Sequence, residues 1–157
     1  QSYFKEFLEK AKDKSFFHIW GISGDSAACA YRAQTQFNEN SKVCAVSSVF
    51  PELCHNLMVG FTNLESPQLV TLLHTDFITN NTNIAIESTC DILNKVGVDV
   101  YRPPVLGNTL EQQLYNIILW SDFASYYLGQ VRNVDVCAVK IIDDLKEKHK
   151  QKGLKLS

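Results

Sequence analysis

The sequence contains no apolar run that reaches the roughly 18 residues a helix needs to cross a bilayer. Its opening residues, with Lys5, Glu6, Glu9 and Lys10 among them, lack the apolar block of a signal peptide. A soluble, cytoplasmic protein without a membrane partner is therefore expected. Also missing is any CxxC pair: Cys29, Cys44, Cys54, Cys90 and Cys137 are odd in number and scattered. That spacing argues against a disulfide scaffold and for reduced, mostly buried thiols. There is no strong charge excess either. A formal net charge of −2 gives no global attraction to nucleic acid. Neither a GxGxxG nor a Walker sequence is present, so the glycine-rich phosphate loops of dinucleotide and nucleotide enzymes are absent. The first residue is Gln1, not Met, which suits a processed chain or an excised part of a longer one.

What the 157 residues do contain is enough apolar content, 45%, for one substantial core, and a single domain over residues 1–157 is expected. Tyr3, Phe4, Phe7, Leu8 and Ala11 recur at helical spacing. Residues 16–22 are aromatic and β-branched, predicting a strand that runs into a Gly/Ser turn. Asp25 and Ser26 are candidate caps for a helix ending near residues 38–42. Further strands are predicted over 42–49, 68–74 and 98–101, and further helices over 83–96, 109–129 and 137–148, with a short helix or turn at 51–58. Strands alternating with helices predict right-handed crossovers and a parallel sheet covered on both faces, a three-layer α/β domain with closing helices. Ligands of such sheets gather beyond the carboxyl ends of the strands, after Ile22, Val49 and His74.

The turn from Gly21 to Ser26 could offer amides to a phosphate, but the Asp25 carboxylate repels an anion and favours a plain strand-to-helix turn. Glu39 falls near the carboxyl end of a predicted helix, where the negative end of the macrodipole favours proton uptake by a carboxylate. A solvated helix end with Lys42 as counter-charge is the simpler reading. Cys54-His55 invites a metal or nucleophile reading, yet no ligand spacing accompanies it, and adjacent side chains point in different directions. Trp120, Phe123, Tyr126 and Tyr127 look like a stacking surface, but their helical spacing assigns them to the core, with Asp122 pairing or capping among them.

Taken together, two ordered segments, Ala30-Tyr-Arg-Ala-Gln-Thr-Gln-Phe-Asn-Glu-Asn-Ser-Lys42 and Phe50-Pro-Glu-Leu-Cys-His-Asn56, the latter followed by Val59-Gly60, change this balance. With residues 114–128 and 139–146 they resemble the C-terminal sugar-isomerase (SIS) half of the bifunctional phosphoglucose/phosphomannose isomerases. The resemblance implies a flavodoxin-type three-layer fold and aldose–ketose isomerisation of a hexose 6-phosphate within glycolysis. It places the family's proton-transfer glutamate on Glu39, its ring-opening histidine on His55, and its C-terminal site lysine on Lys146 as the nearest match. It implies sugar phosphate as substrate, a homodimer in which the histidine crosses to the other subunit, and no metal or redox cofactor. It also implies a first SIS half, which binds the phosphate and is absent here. This chain carries Cys54 before the histidine, where the family usually has a polar residue, and Leu57, where it usually has glutamate. A non-catalytic sugar-phosphate-binding or assembly domain is the competing expectation.

Overall fold

A computed structural model describes residues 2–154. Four parallel strands, β1 (Phe16–Ile22), β2 (Cys44–Phe50), β3 (Gln68–Leu72) and β4 (Asp99–Tyr101), lie in the order β2-β1-β3-β4. Side chains alternate across a strand, so the two faces can be read from β1. Phe17 and Ile19 point into one core, Trp20 and Ile22 into the other, and all four are buried. Apolar residues on both faces are the mark of a parallel sheet sandwiched between layers.

Helices α1 (Lys5–Ala11), α2 (Ala27–Ser41) and α4 (Leu110–Val131) supply Phe7, Phe37, Trp120 and Leu128 to the first core. Helix α3 (Asn80–Lys95) and two 3-10 turns, Glu52–Cys54 and Leu57–Thr62, cover the second face through Ile86, Leu93, Leu53 and Phe61. The three-layer α/β fold is thereby as expected. Helix α5 (Lys140–Gln151) closes the described chain and buries none of its residues.

The connections follow from short-range chemistry. Gly21 is needed because a Cβ there would come within 2.9 Å of Ala27 Cα and Ala30 Cβ, where α2 passes back over β1. Lys42 takes a left-handed conformation (φ 53°) that ends α2, which delays β2 to Cys44 rather than Lys42. α3 begins earlier than predicted because Thr79 Oγ1 accepts the Thr82 amide proton and caps it. α5 begins later because the Asp135 carboxylate accepts the amide protons of Cys137 and Ala138, holding them in a turn.

Two sequence readings need correction. Neither Asp25 nor Ser26 caps α2 with its side chain. Ser26 Oγ instead accepts from Ile22 N and donates to Leu73 O at 2.6 Å, tying β1 to β3 across the carboxyl edge. Phe123 and Tyr126 are exposed, not core, because the α4 face that meets the sheet is set by Trp120, Ala124 and Leu128.

Candidate active site

Glu39 sits in the last turn of α2, and its two neighbours explain why that turn is held. Asn38 uses both ends of its amide on β2: Nδ2 donates to Ala45 O at 3.1 Å and Oδ1 accepts from Ala45 N at 2.8 Å. One turn earlier, Gln34 Oε1 accepts from Ser47 N at 2.6 Å. β2 is an edge strand, so these two helix side chains occupy backbone groups that would otherwise be free to pair with another chain. On the other side, Asn40 Nδ2 donates to Ser125 Oγ at 2.9 Å and Ser41 Oγ to Ser125 O at 2.6 Å, fastening the same turn to α4. Gly129 allows that approach, since a Cβ there would lie 2.5 Å from Asn40 O.

With its neighbours anchored, Glu39 points outward and is exposed. Among the described residues its carboxylate has no hydrogen-bond partner, whereas its backbone oxygen accepts from Lys42 Nζ. It opens on a groove of about 490 Å³, whose far wall is Val139, Lys140, Ile141 and Ile142 at the start of α5. Lys42, Lys140 and Asp135 line the same groove, and its far wall is largely apolar.

His55 lies elsewhere. It follows the 3-10 turn after β2, where its amide donates to Glu52 O at 3.0 Å, and its ring is exposed. Cys54 turns the other way, packs against the second core and has its sulfur 3.7 Å from Thr89 Oγ1. The two side chains are therefore no nucleophile–base pair. Asn38 anchors the Glu39 turn at Ala45, near the beginning of β2, and His55 comes five residues after its end at Phe50. Seven strand residues span about 20 Å, so the two groups cannot act on adjacent carbons of one sugar within one chain. Glu39 thus sits at the amino edge of the sheet, opposite the edge at which α/β sites were expected.

Lys146 is exposed on α5 and makes no hydrogen bond among the described residues. Lys140, one helical turn and more before it, lines the Glu39 groove. Sequence reading had passed over Lys140; the signal was its place in the same closing segment, 139–146. Arg32 and Asp122 are occupied with each other, with Nη2 donating to both carboxylate oxygens at 2.9 and 2.8 Å across α2 and α4.

The carboxyl edge offers no anion cradle at the first turn. Asp25 Oδ1 accepts from Thr75 Oγ1 at 2.5 Å and Oδ2 from Thr75 N at 3.1 Å, so a carboxylate already stands at the entrance to α2. Nearby, Arg102 donates to Glu87 at 2.7 Å and to Cys90 Sγ at 3.1 Å, holding the Glu87 carboxyl below its usual range. No three His, Cys, Asp or Glu side chains come together as a metal site among the described residues, and no described helix is long and apolar enough to cross a membrane.

The chain matches, over residues 3–148, the family model described as the bacterial phospho-glucose isomerase C-terminal SIS domain. It belongs to that family. A bifunctional phosphoglucose/phosphomannose isomerase of Caldicellulosiruptor bescii is 35% identical over 139 residues, 83% of this chain and 39% of that protein. The protein of the same name from Thermoplasma acidophilum is 31% identical over 120 residues, 76% of this chain and 37% of that one. This SIS domain therefore spans about two fifths of the length of these curated relatives. In fold it is similar to a glucosamine-6-phosphate deaminase of Thermotoga maritima, with TM-score 0.59, 12% identity, and coverage of 86% of this chain and 44% of that one. A putative sugar-phosphate isomerase of Listeria monocytogenes gives TM-score 0.53 and 12% identity, covering 98% and 83%.

Proposed function

We propose that this chain, one SIS domain over residues 1–157, supplies the proton-transfer part of an aldose–ketose isomerase that interconverts glucose 6-phosphate and fructose 6-phosphate, with mannose 6-phosphate as the epimeric alternative. The observation that carries the reading is the Glu39 turn: Asn38 and Asn40 anchor it on both sides and leave a free carboxylate in a lysine-flanked groove. Glu39 takes the proton from C2 and the C–H electron pair forms the C1–C2 double bond as the C1=O π pair moves onto O1, which takes up a proton to give the enediol. The O2 hydroxyl then gives up its proton as C2=O forms, and the Glu39 carboxyl returns its proton at C1. His55 opens the sugar ring by moving a proton between O1 and the ring oxygen, and it serves the groove of a second copy because its own lies about 20 Å away along β2. Lys146 is retained as the family's site lysine, with Lys140 the better placed of the two. The substrate's phosphate is assigned to a first SIS half, since Asp25 occupies the corresponding helix entrance here. A cytoplasmic homodimer is the setting that suits phosphorylated hexoses and free thiols.

One observation favours the competing reading of a non-catalytic sugar-phosphate-binding or assembly domain: the Asp25–Thr75 pair denies this half a phosphate anchor of its own, and with it the binding energy that would position the reacting carbons. A coupled isomerase assay on the complete native polypeptide separates the two. Glu39→Gln should abolish interconversion while far-UV circular dichroism stays unchanged. Wild-type turnover by that variant removes Glu39 as the base, and no turnover by the native protein leaves the non-catalytic reading.

A further inference from the structure

His18 is a titratable side chain that the proposed chemistry does not use, and it stands inside an aromatic cage. It lies on the inner strand β1 and is 6% exposed. The rings of Phe16 and Phe61 are each 4.8 Å from its own, and that of Trp20 is 6.4 Å away. Its Nε2 is 2.7 Å from Gln68 Oε1, the contact of an N–H donating to an amide oxygen. Nδ1 is buried with no partner among the described residues. A neutral ring fits this cage. A second proton, on Nδ1, adds a positive charge and an N–H that nothing there accepts.

No compensating charge faces the ring. Partner residues on parallel strands share a face, so β2 presents Cys44, Val46 and Ser48, and β3 presents Gln68 and Val70. Of these only the Cys44 thiol titrates. The 3-10 turn Leu57–Thr62, which closes the cage through Phe61, has no ionisable side chain. Glu52 and His55 before it, Glu65 after it, and Glu87, Asp91 and Lys95 of α3 are exposed. Burial therefore dominates and lowers the proton affinity of His18, with only the Gln68 bond acting against it.

One wall of the cage is weaker than the rest. Phe16 and Trp20 belong to β1, which is laddered to β2 on one side and to β3 on the other. Phe61 is the one buried residue of its turn. A charged His18 ring therefore reaches water at least cost by displacing Phe61. We propose that His18 is a pH-operated latch: uptake of a proton by its ring expels Phe61 and frees the Leu57–Thr62 turn. The turn begins two residues after His55, and its Val59 amide donates to Asn56 O at 3.2 Å, so its release loosens the backbone beside His55. Any effect on ring opening rests on the isomerase reading above, whereas the latch does not.

The test is hydrogen exchange of the complete native polypeptide, read by mass spectrometry and corrected for the intrinsic pH dependence of amide exchange. If only the open form takes up the proton, at the ordinary histidine pKa of about 6.5, the open population grows about tenfold between about pH 7.5 and about pH 5.5. Peptides over residues 57–62 should gain exchange several-fold, toward that ceiling, while peptides over β1 and β3 change only with global stability. His18→Phe keeps a ring that cannot be protonated and should abolish the gain. Gln68→Glu sets a carboxylate against the imidazolium and should hold the turn closed at about pH 5.5, which keeps the test decisive should His18→Phe not fold. An unchanged turn, an equal gain in turn and strands, or a gain that survives in either folded variant would overturn the proposal. Turnover plays no part in this readout, so an inactive native polypeptide would refute the enzymatic reading alone.

Discussion

Replacing Asn38 with alanine isolates the device that holds Glu39. The substitution removes two hydrogen bonds, from Asn38 Nδ2 to Ala45 O and from Ala45 N to Asn38 Oδ1. Each such bond is worth about 0.5–1.5 kcal/mol net, and the exposure of Asn38 places the pair toward the low end, at about 1–2 kcal/mol. For a chain of this size that corresponds to a fall of about 2–8 °C in Tm. A second consequence is local: the Ala45 amide on the edge strand becomes free, so its hydrogen exchange should accelerate while exchange in β1 and β3 changes only with global stability. Asn38→Asp keeps an acceptor for Ala45 N but sets a carboxylate oxygen against Ala45 O, and should be no more stable than alanine. Isomerase activity should fall in both variants because the Glu39 turn loses its tie to the sheet. Urea denaturation and residue-resolved exchange decide the matter. Unchanged stability together with unchanged exchange at Ala45 would refute the role given to Asn38.

Gly129→Ala places a methyl group 2.5 Å from Asn40 O and 2.7 Å from a Val136 methyl, so α2 and α4 must separate. A loss of about 1–3 kcal/mol is expected in urea denaturation, and Gly129→Ala as stable as the native protein would mean that the helices are not in that contact. His18 is buried among Phe16, Phe61 and Trp20, and its ring nitrogen lies 2.7 Å from Gln68 Oε1. Burial, only partly offset by that hydrogen bond, lowers its pKa below 6.5. The unfolded chain therefore binds this proton more readily. The stability that His18 contributes is complete above about pH 6.5 and is lost as pH falls through that value toward the lower folded pKa. Urea midpoints measured across this range should drop more steeply in the native protein than in His18→Gln; parallel curves would contradict the argument.

Much of this was legible along the chain because it is local. Residues 16–22 announce a strand buried on both faces, since Phe17 and Ile19 alternate with Trp20 and Ile22 and none of the four is polar. Alternating strands and helices then leave few arrangements besides a covered parallel sheet. Glu39 and His55 were singled out by the company they keep in sequence. Local pattern also misled. Helical spacing put Phe123 and Tyr126 in the core, and only the packing of α4 on the sheet shows that Trp120, Ala124 and Leu128 claim the inner face.

The sequence by itself therefore determined the layers, the membership in a sugar-isomerase family and the two residues on which chemistry is proposed, because periodicity and short motifs are properties of neighbouring residues. The tertiary structure alone decided where those residues stand. A parallel connection returns the chain across the sheet, so the end of α2 and the end of β2 fall on opposite edges, and the fifteen residues between Glu39 and His55 become about 20 Å of strand between them. The same return path brings Asn38 and Gln34 against the bare edge of β2 and Asp25 against Thr75, contacts between groups far apart in the chain or facing each other only after folding. No local pattern encodes such distances, because they are set by how whole elements pack.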